Sequence, residues 1–105
     1  MNISRAFTQQ AQFEAVVAKV AQQLAPVAVS VIPTLGDDWS GESAVFFMVI
    51  LTDAASRREQ LLSNSNLISQ TIVKRVRPLE NWGVLPYFNF RSQSEQAKIN
   101  QPAFA

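Results

Sequence analysis

Three carboxylates fall within six residues in Asp37-Asp38-Trp39-Ser40-Gly41-Glu42. A cluster of this kind can ligate Mg²⁺ or Ca²⁺ through oxygen, or divide acid and base roles between two side chains. Its spacing departs from the D-x-[DN]-x-[DN]-G calcium loop. The same residues also suit a solvated turn, whose Asp side chains accept backbone N–H groups while Trp39 covers a sheet edge. The turn reading is favoured, and no metal site is assigned. A second segment with chemical potential is Pro86-Tyr87-Phe88-Asn89-Phe90-Arg91-Ser92. Aromatics interleaved with Arg and Asn on a strand can stack bases or grip a peptide. Phe88 and Phe90 are expected to fill the core, leaving Tyr87, Asn89 and Arg91 for water or an acidic partner. Arg91 is the best single candidate for a specific contact; a pairing with Asp37, Asp38 or Glu42 across the sheet would make its role structural instead.

The chain contains no cysteine and no histidine. The first zero removes disulfides, thiolate metal sites and thiol nucleophiles. The second removes the usual general base, metal ligand and pH switch. Ser40 has no histidine to activate it and lacks the flanking glycines of a nucleophile elbow. No S-x-x-K spacing occurs. The expectation is a protein that is not an enzyme, with no catalytic residue and no cofactor.

Nine basic and eight acidic residues leave a net charge of +1, so no global field argues for nucleic acid. The charge is nonetheless uneven. Positions 37–53 carry four acids and no base, and positions 57–77 carry five bases (Arg57, Arg58, Lys74, Arg75, Arg77) and one acid, Glu59. The last three bases suit a helix C-terminus. Arg57 and Arg58, near the start of that helix, have no such explanation. They keep nucleic acid as the alternative partner.

These groups must be positioned by a small framework. A chain of 105 residues makes one domain, 1–105, able to bury a core unaided. Residues 8–25 read as an amphipathic helix with Phe13, Val16, Val17, Val20 and Leu24 on one face, Thr8 as N-cap and Pro26 as stop. Residues 27–33 read as a β-branched strand, and 34–42 as a hairpin loop. Residues 43–52 are apolar on both faces: Val45, Phe47, Val49 and Leu51 on one, Phe46, Met48 and Ile50 on the other. That marks a central strand, or one under a partner as well as its own core. Asp53 is the expected N-cap of a helical stretch over 54–77, with Leu61, Ile68, Ile72 and Val76 as its stripe; the four poor helix formers Ser63-Asn64-Ser65-Asn66 leave either two helices with a break or one frayed helix. Residues 79–86 read as a loop, 87–92 as the last strand, and 93–105 as a short helix or docked tail. The fold class is α+β, in the order α-β-β-α-(α)-β, with a three-stranded sheet and helices packed on one face. The longest apolar run, 44–51, is too short to span a bilayer. The N-terminus lacks an apolar h-region. A cytoplasmic location without membrane contact is the default expectation.

The element order invites comparison with the type II K-homology fold, which clamps single-stranded RNA with a G-x-x-G loop between two helices. The corresponding segment, Ser63-Asn64-Ser65-Asn66, has no glycine to let backbone approach phosphate. Separately, Asp38-Trp39-Ser40-Gly41-Glu42-x-Ala44-x-Phe46-Phe47 together with Pro86-Tyr87-Phe88-Asn89-Phe90-Arg91-Ser92-x-Ser94-Glu95 resembles a family of small, uncharacterised bacterial proteins. The resemblance covers most of residues 36–105 and brings no activity. By type, such proteins include antitoxin-like halves of two-gene pairs, which implies a partner protein. The residues point the same way. One helical layer covers one sheet face, so a doubly apolar strand leaves the other face short of cover. The expected function is a protein–protein interaction module, dimeric or paired with another chain. Its contact residues are sought among Asp37, Asp38, Trp39, Arg57, Arg58, Tyr87, Asn89 and Arg91.

Overall fold

The computed structural model describes residues 3–100. The elements are α1 (Arg5–Thr8), α2 (Gln10–Gln23), β1 (Ala28–Asp37), β2 (Ser43–Leu51), α3 (Arg58–Val76), α4 (Pro78–Trp82), β3 (Leu85–Ser92) and α5 (Gln93–Asn100). The expected α+β class is what forms: a three-stranded mixed sheet with helices packed against it. Strand β2 is central. It pairs antiparallel with β1 through a short turn, and parallel with β3 after the α3–α4 crossover. A parallel return needs such a connection, because a tight turn reverses the chain.

The core lies between one sheet face and the helices. Val45, Phe47, Val49 and Leu51 of β2 are all buried there, against Phe13, Val17 and Val20 of α2 and Ile68, Ile72 and Val76 of α3. These side chains recur at helical spacing on α2 and α3 and at every second position on β2, so each element buries one face. Phe88 and Phe90 pack on this core but are only half-buried, because β3 is an edge strand. Phe88 stacks on Phe47 with ring centroids 5.1 Å apart.

Several boundaries differ from expectation. Thr8 belongs to α1 and does not cap α2, whose N-cap is Gln9. Strand β1 runs on through Pro33, Thr34, Leu35 and Gly36 to Asp37. Proline is tolerated there because β1 is an edge strand, and Leu35 packs against the core opposite Val45. Helix α3 is unbroken across positions 63–66. Asn64 donates its side-chain amide to Ala55 O at 2.9 Å, and the Ser69 hydroxyl donates to Ser65 O at 2.8 Å. Tertiary use of Asn64 and local use of Ser69 offset the weak helix propensity of the run. No loop therefore separates two helices at the position of a G-x-x-G motif. The first turns of α3 do not reach the core, and Leu61, expected on the buried stripe, is exposed.

Asp53 does not cap α3, which starts at Arg58. Its carboxylate instead accepts the Ser94 N–H at 3.0 Å and the Ser94 hydroxyl at 2.6 Å. The expected loop at 79–86 contains α4, and Trp82 is a core residue. Its ring meets Phe13 edge-on at 5.2 Å and lies under the Arg5 guanidinium at 4.5 Å. The tail begins as α5, and residues 101–105 lie outside the described residues.

Candidate functional site

Register partners in a sheet point to the same side. The ladder therefore places Ile32 beside Met48 and Asn89, and Thr34 beside Phe46 and Tyr87, on the side away from α2 and α3. On this open face Ile32 is 47% and Phe46 37% exposed, and Met48 is half-buried. Phe46 and Tyr87 stack at 5.4 Å, and Trp39 meets Tyr87 edge-on at 5.4 Å while remaining 85% exposed. An indole left in water at the rim of an apolar strip is the least satisfied group on this surface.

The turn that presents Trp39 is built on Asp38. Asp38 Oδ1 accepts the Ser40 N–H at 2.9 Å, the Ser40 hydroxyl at 2.7 Å and the Glu42 N–H at 3.0 Å. Asp38 Oδ2 accepts the Tyr87 hydroxyl at 2.8 Å. Gly41, at φ 85°, closes the turn by donating to Asp38 O, and its left-handed backbone requires glycine. The Ser40 hydroxyl, followed by Tyr87 and the two backbone N–H groups, holds the Asp38 carboxyl down at about 2, although burial opposes this. Tyr87 is pushed up by its bond to Asp38, with burial and the carboxylate charge adding to it. Asp38 is thus committed to its hydrogen bonds, as the turn reading expects. Among the described residues, no group of three or more His, Cys, Asp or Glu is placed to hold a metal ion.

At the other end of the face, Ile50 is buried and its neighbour Arg91 is half-buried. Arg91 donates to Gln96 Oε1 of α5 at 3.1 Å. The structural alternative, a pairing of Arg91 with the acidic turn, does not form. Arg91 aligns with Ile50 and the turn follows Asp37, which aligns with Ser43. Seven residues of strand separate them by roughly 23 Å. Tyr87, near the start of β3, is the residue that reaches Asp38. The face therefore brings together Asp38, Trp39 and Tyr87, with Asn89 exposed further along and Asp37 exposed at the rim. Phe46 and Tyr87 form the floor under Trp39.

Arg57 and Arg58 are exposed at the opposite end of the sheet from the turn, where α3 begins. Lys74, Arg75 and Arg77 lie at the far end of α3, roughly 24 Å from Arg58 at 1.5 Å per residue. The bases thus form two separate groups. Ile32 was missed by the sequence reading, because its place on this face depends on its register with Met48. No family model, curated protein or solved structure matches the chain. Among the described residues, no helix is long and apolar enough to cross a membrane.

Proposed function

We propose that this protein is a non-enzymatic interaction module that associates through the open face of its sheet, with a second copy of itself as occupant. The observation that carries this reading is the apolar strip of Ile32, Phe46 and Met48, flanked by the exposed Trp39. Aromatic residues and Met are enriched in interface cores, and a contiguous exposed apolar patch marks a contact surface.

Charge favours a second copy. Asp37 and Glu42 are exposed at the turn end of the face, and Arg91 is at the other end. A two-fold axis lying in the interface, across the strands, brings the acidic end of each copy over the Arg91 end of the other. An axis along the strands would set the two acidic turns against each other, which is repulsive. Three strands give a small face, so the interface belongs to the low end of known sizes, and dissociation at micromolar concentration is expected.

Sedimentation velocity over a dilution series tests the reading. The parent chain is expected to pass from dimer to monomer, and Phe46→Glu to remain monomeric with an unchanged circular dichroism spectrum. A parent chain that is monomeric at all concentrations and brings down no partner would end this reading. Salt-dependent binding to RNA or DNA at low ionic strength would replace it with the nucleic-acid alternative.

A further inference from the structure

The helix side of β3 carries a second feature, independent of the open face. An open groove of about 660 Å³ runs between α3 and the outer edge of β3, within the size range of small-molecule sites. Its apolar surface comes from Val73, Pro86 and Phe88, and its charged rim from Lys74, Arg77 and Glu80. Two cations therefore face one carboxylate. That carboxylate is already engaged, since Arg77 Nε donates to Glu80 Oε2 at 3.3 Å.

Arg77 stands where an arginine is poorly suited. Its backbone is left-handed, at φ 53° and ψ 63°, the only non-glycine with positive φ among the described residues. Helices that end in this conformation usually place glycine there, or sometimes asparagine. The next residue is Pro78, and a residue before proline prefers extended backbone. A β-carbon at this position is thus disfavoured on two counts. The Glu80 ion pair does not account for keeping it, because both side chains are about half exposed and such pairs contribute little. What the side chain does achieve is a guanidinium held at the groove rim by Nε, its terminal nitrogens without a partner among the described residues and lining the same groove as Lys74.

We propose that this groove binds a small organic anion with a flat apolar body. The anionic group, a carboxylate, sulfonate or phosphate, is met by Arg77 and Lys74. The apolar body lies on Val73, Pro86 and Phe88, whose ring is already stacked on Phe47. An acidic ligand is favoured over a neutral one by the net positive rim, and a flat one by the half-buried ring of Phe88.

Two fluorescent probes share one ring system. 8-Anilinonaphthalene-1-sulfonate carries the anion, and N-phenyl-1-naphthylamine lacks it. The sulfonate is expected to bind the parent chain more tightly than the neutral probe. Its affinity is expected to fall tenfold or more in Arg77→Gly and in Lys74→Glu. Arg77→Gly is the decisive variant, because glycine relieves the backbone. Its thermal midpoint is expected to be no lower than the parent's while binding is lost. Phe46→Glu, on the opposite face, is expected to leave sulfonate binding unchanged. Equal binding of both probes, parent-like sulfonate affinity in both groove variants, or loss of binding in Phe46→Glu would each overturn the proposal. Because Phe46→Glu also disrupts the proposed dimer, it separates failure of the groove from failure of the interface.

Discussion

Tyr87 donates its phenolic hydrogen to Asp38 Oδ2 at 2.8 Å, tying the parallel edge strand to a hairpin turn 49 positions earlier in the chain. The bond fixes two things at once. It locks the start of β3 beside the β1–β2 turn, and it holds the aromatic platform of Phe46 and Tyr87 under Trp39. Tyr87→Phe keeps the ring and removes the donor. Its thermal midpoint is expected to fall by several degrees, with the secondary structure retained, as followed by circular dichroism melting.

The same pair sets a pH dependence at both limits. The Asp38 carboxyl is held at about 2 in the folded chain, below its ordinary value near 3.8. Its contribution to stability is therefore complete above about pH 4 and is lost as pH falls towards 2. Tyr87 is shifted upward, so its contribution is complete below its ordinary titration range and is lost as pH rises through the raised value. Melting midpoints of parent and Asp38→Asn across pH should differ most near neutrality and converge in acid. Parallel curves down to pH 2 would show that Asp38 does not carry this dependence.

Trp39 is expected to matter for association and little for the isolated fold. Trp39 is mostly exposed and, among the described residues, its ring contact is the edge contact with Tyr87, so Trp39→Ala should cost the monomer no more than about 1 kcal/mol. Tryptophan is the residue type most enriched among interface hot spots, where truncation costs about 2 kcal/mol or more. The dimer dissociation constant should accordingly rise by over tenfold in sedimentation equilibrium, while urea unfolding of the monomer changes little.

Phe13 is the opposite case. It is fully buried and meets Trp82 edge-on. Phe13→Ala is expected to destabilise the fold by about 3–5 kcal/mol, read from the urea midpoint at unchanged slope.

The start of helix α5 is held by one local and one long-range set of hydrogen bonds. Ser92 and Glu95 form a reciprocal capping box: the Glu95 N–H donates to Ser92 Oγ and the Ser92 N–H to Glu95 Oε1, both at 3.1 Å. Asp53 adds the bonds to Ser94, which hold its carboxyl below the usual range. Asp53→Ala should speed hydrogen exchange of the α5 amides while leaving α2 and β2 protected, as measured by mass spectrometry.

The amphipathic face of α2 was legible because Phe13, Val17 and Val20 repeat at helical spacing. The central place of β2 was legible because both its faces are apolar, which only an interior or doubly covered strand sustains. The Ser92-x-x-Glu95 spacing is also a capping signal in the sequence. Trp82 was not legible as core, since a tryptophan in a short segment bounded by Pro78 and Gly83 has no periodicity to declare its direction. Nor was the continuity of α3 across Ser63-Asn64-Ser65-Asn66, because propensity is a weak local term and Asn64 is satisfied by a carbonyl nine residues away.

The sequence by itself determined the main helices and strands, the buried faces of α2 and β2 and the exclusion of thiol and imidazole chemistry, all of which follow from residue identity and local period. Only the tertiary structure decided partnerships. It joined Asp38 to Tyr87 and left Arg91 with Gln96, because strand register, which neither residue encodes locally, sets which end of β3 meets the turn. It also exposed Ile32 with Phe46 on one face and set Arg77 over a groove on the other. Those placements depend on how a parallel strand returns after its crossover, a long-range outcome that no window of neighbouring residues contains.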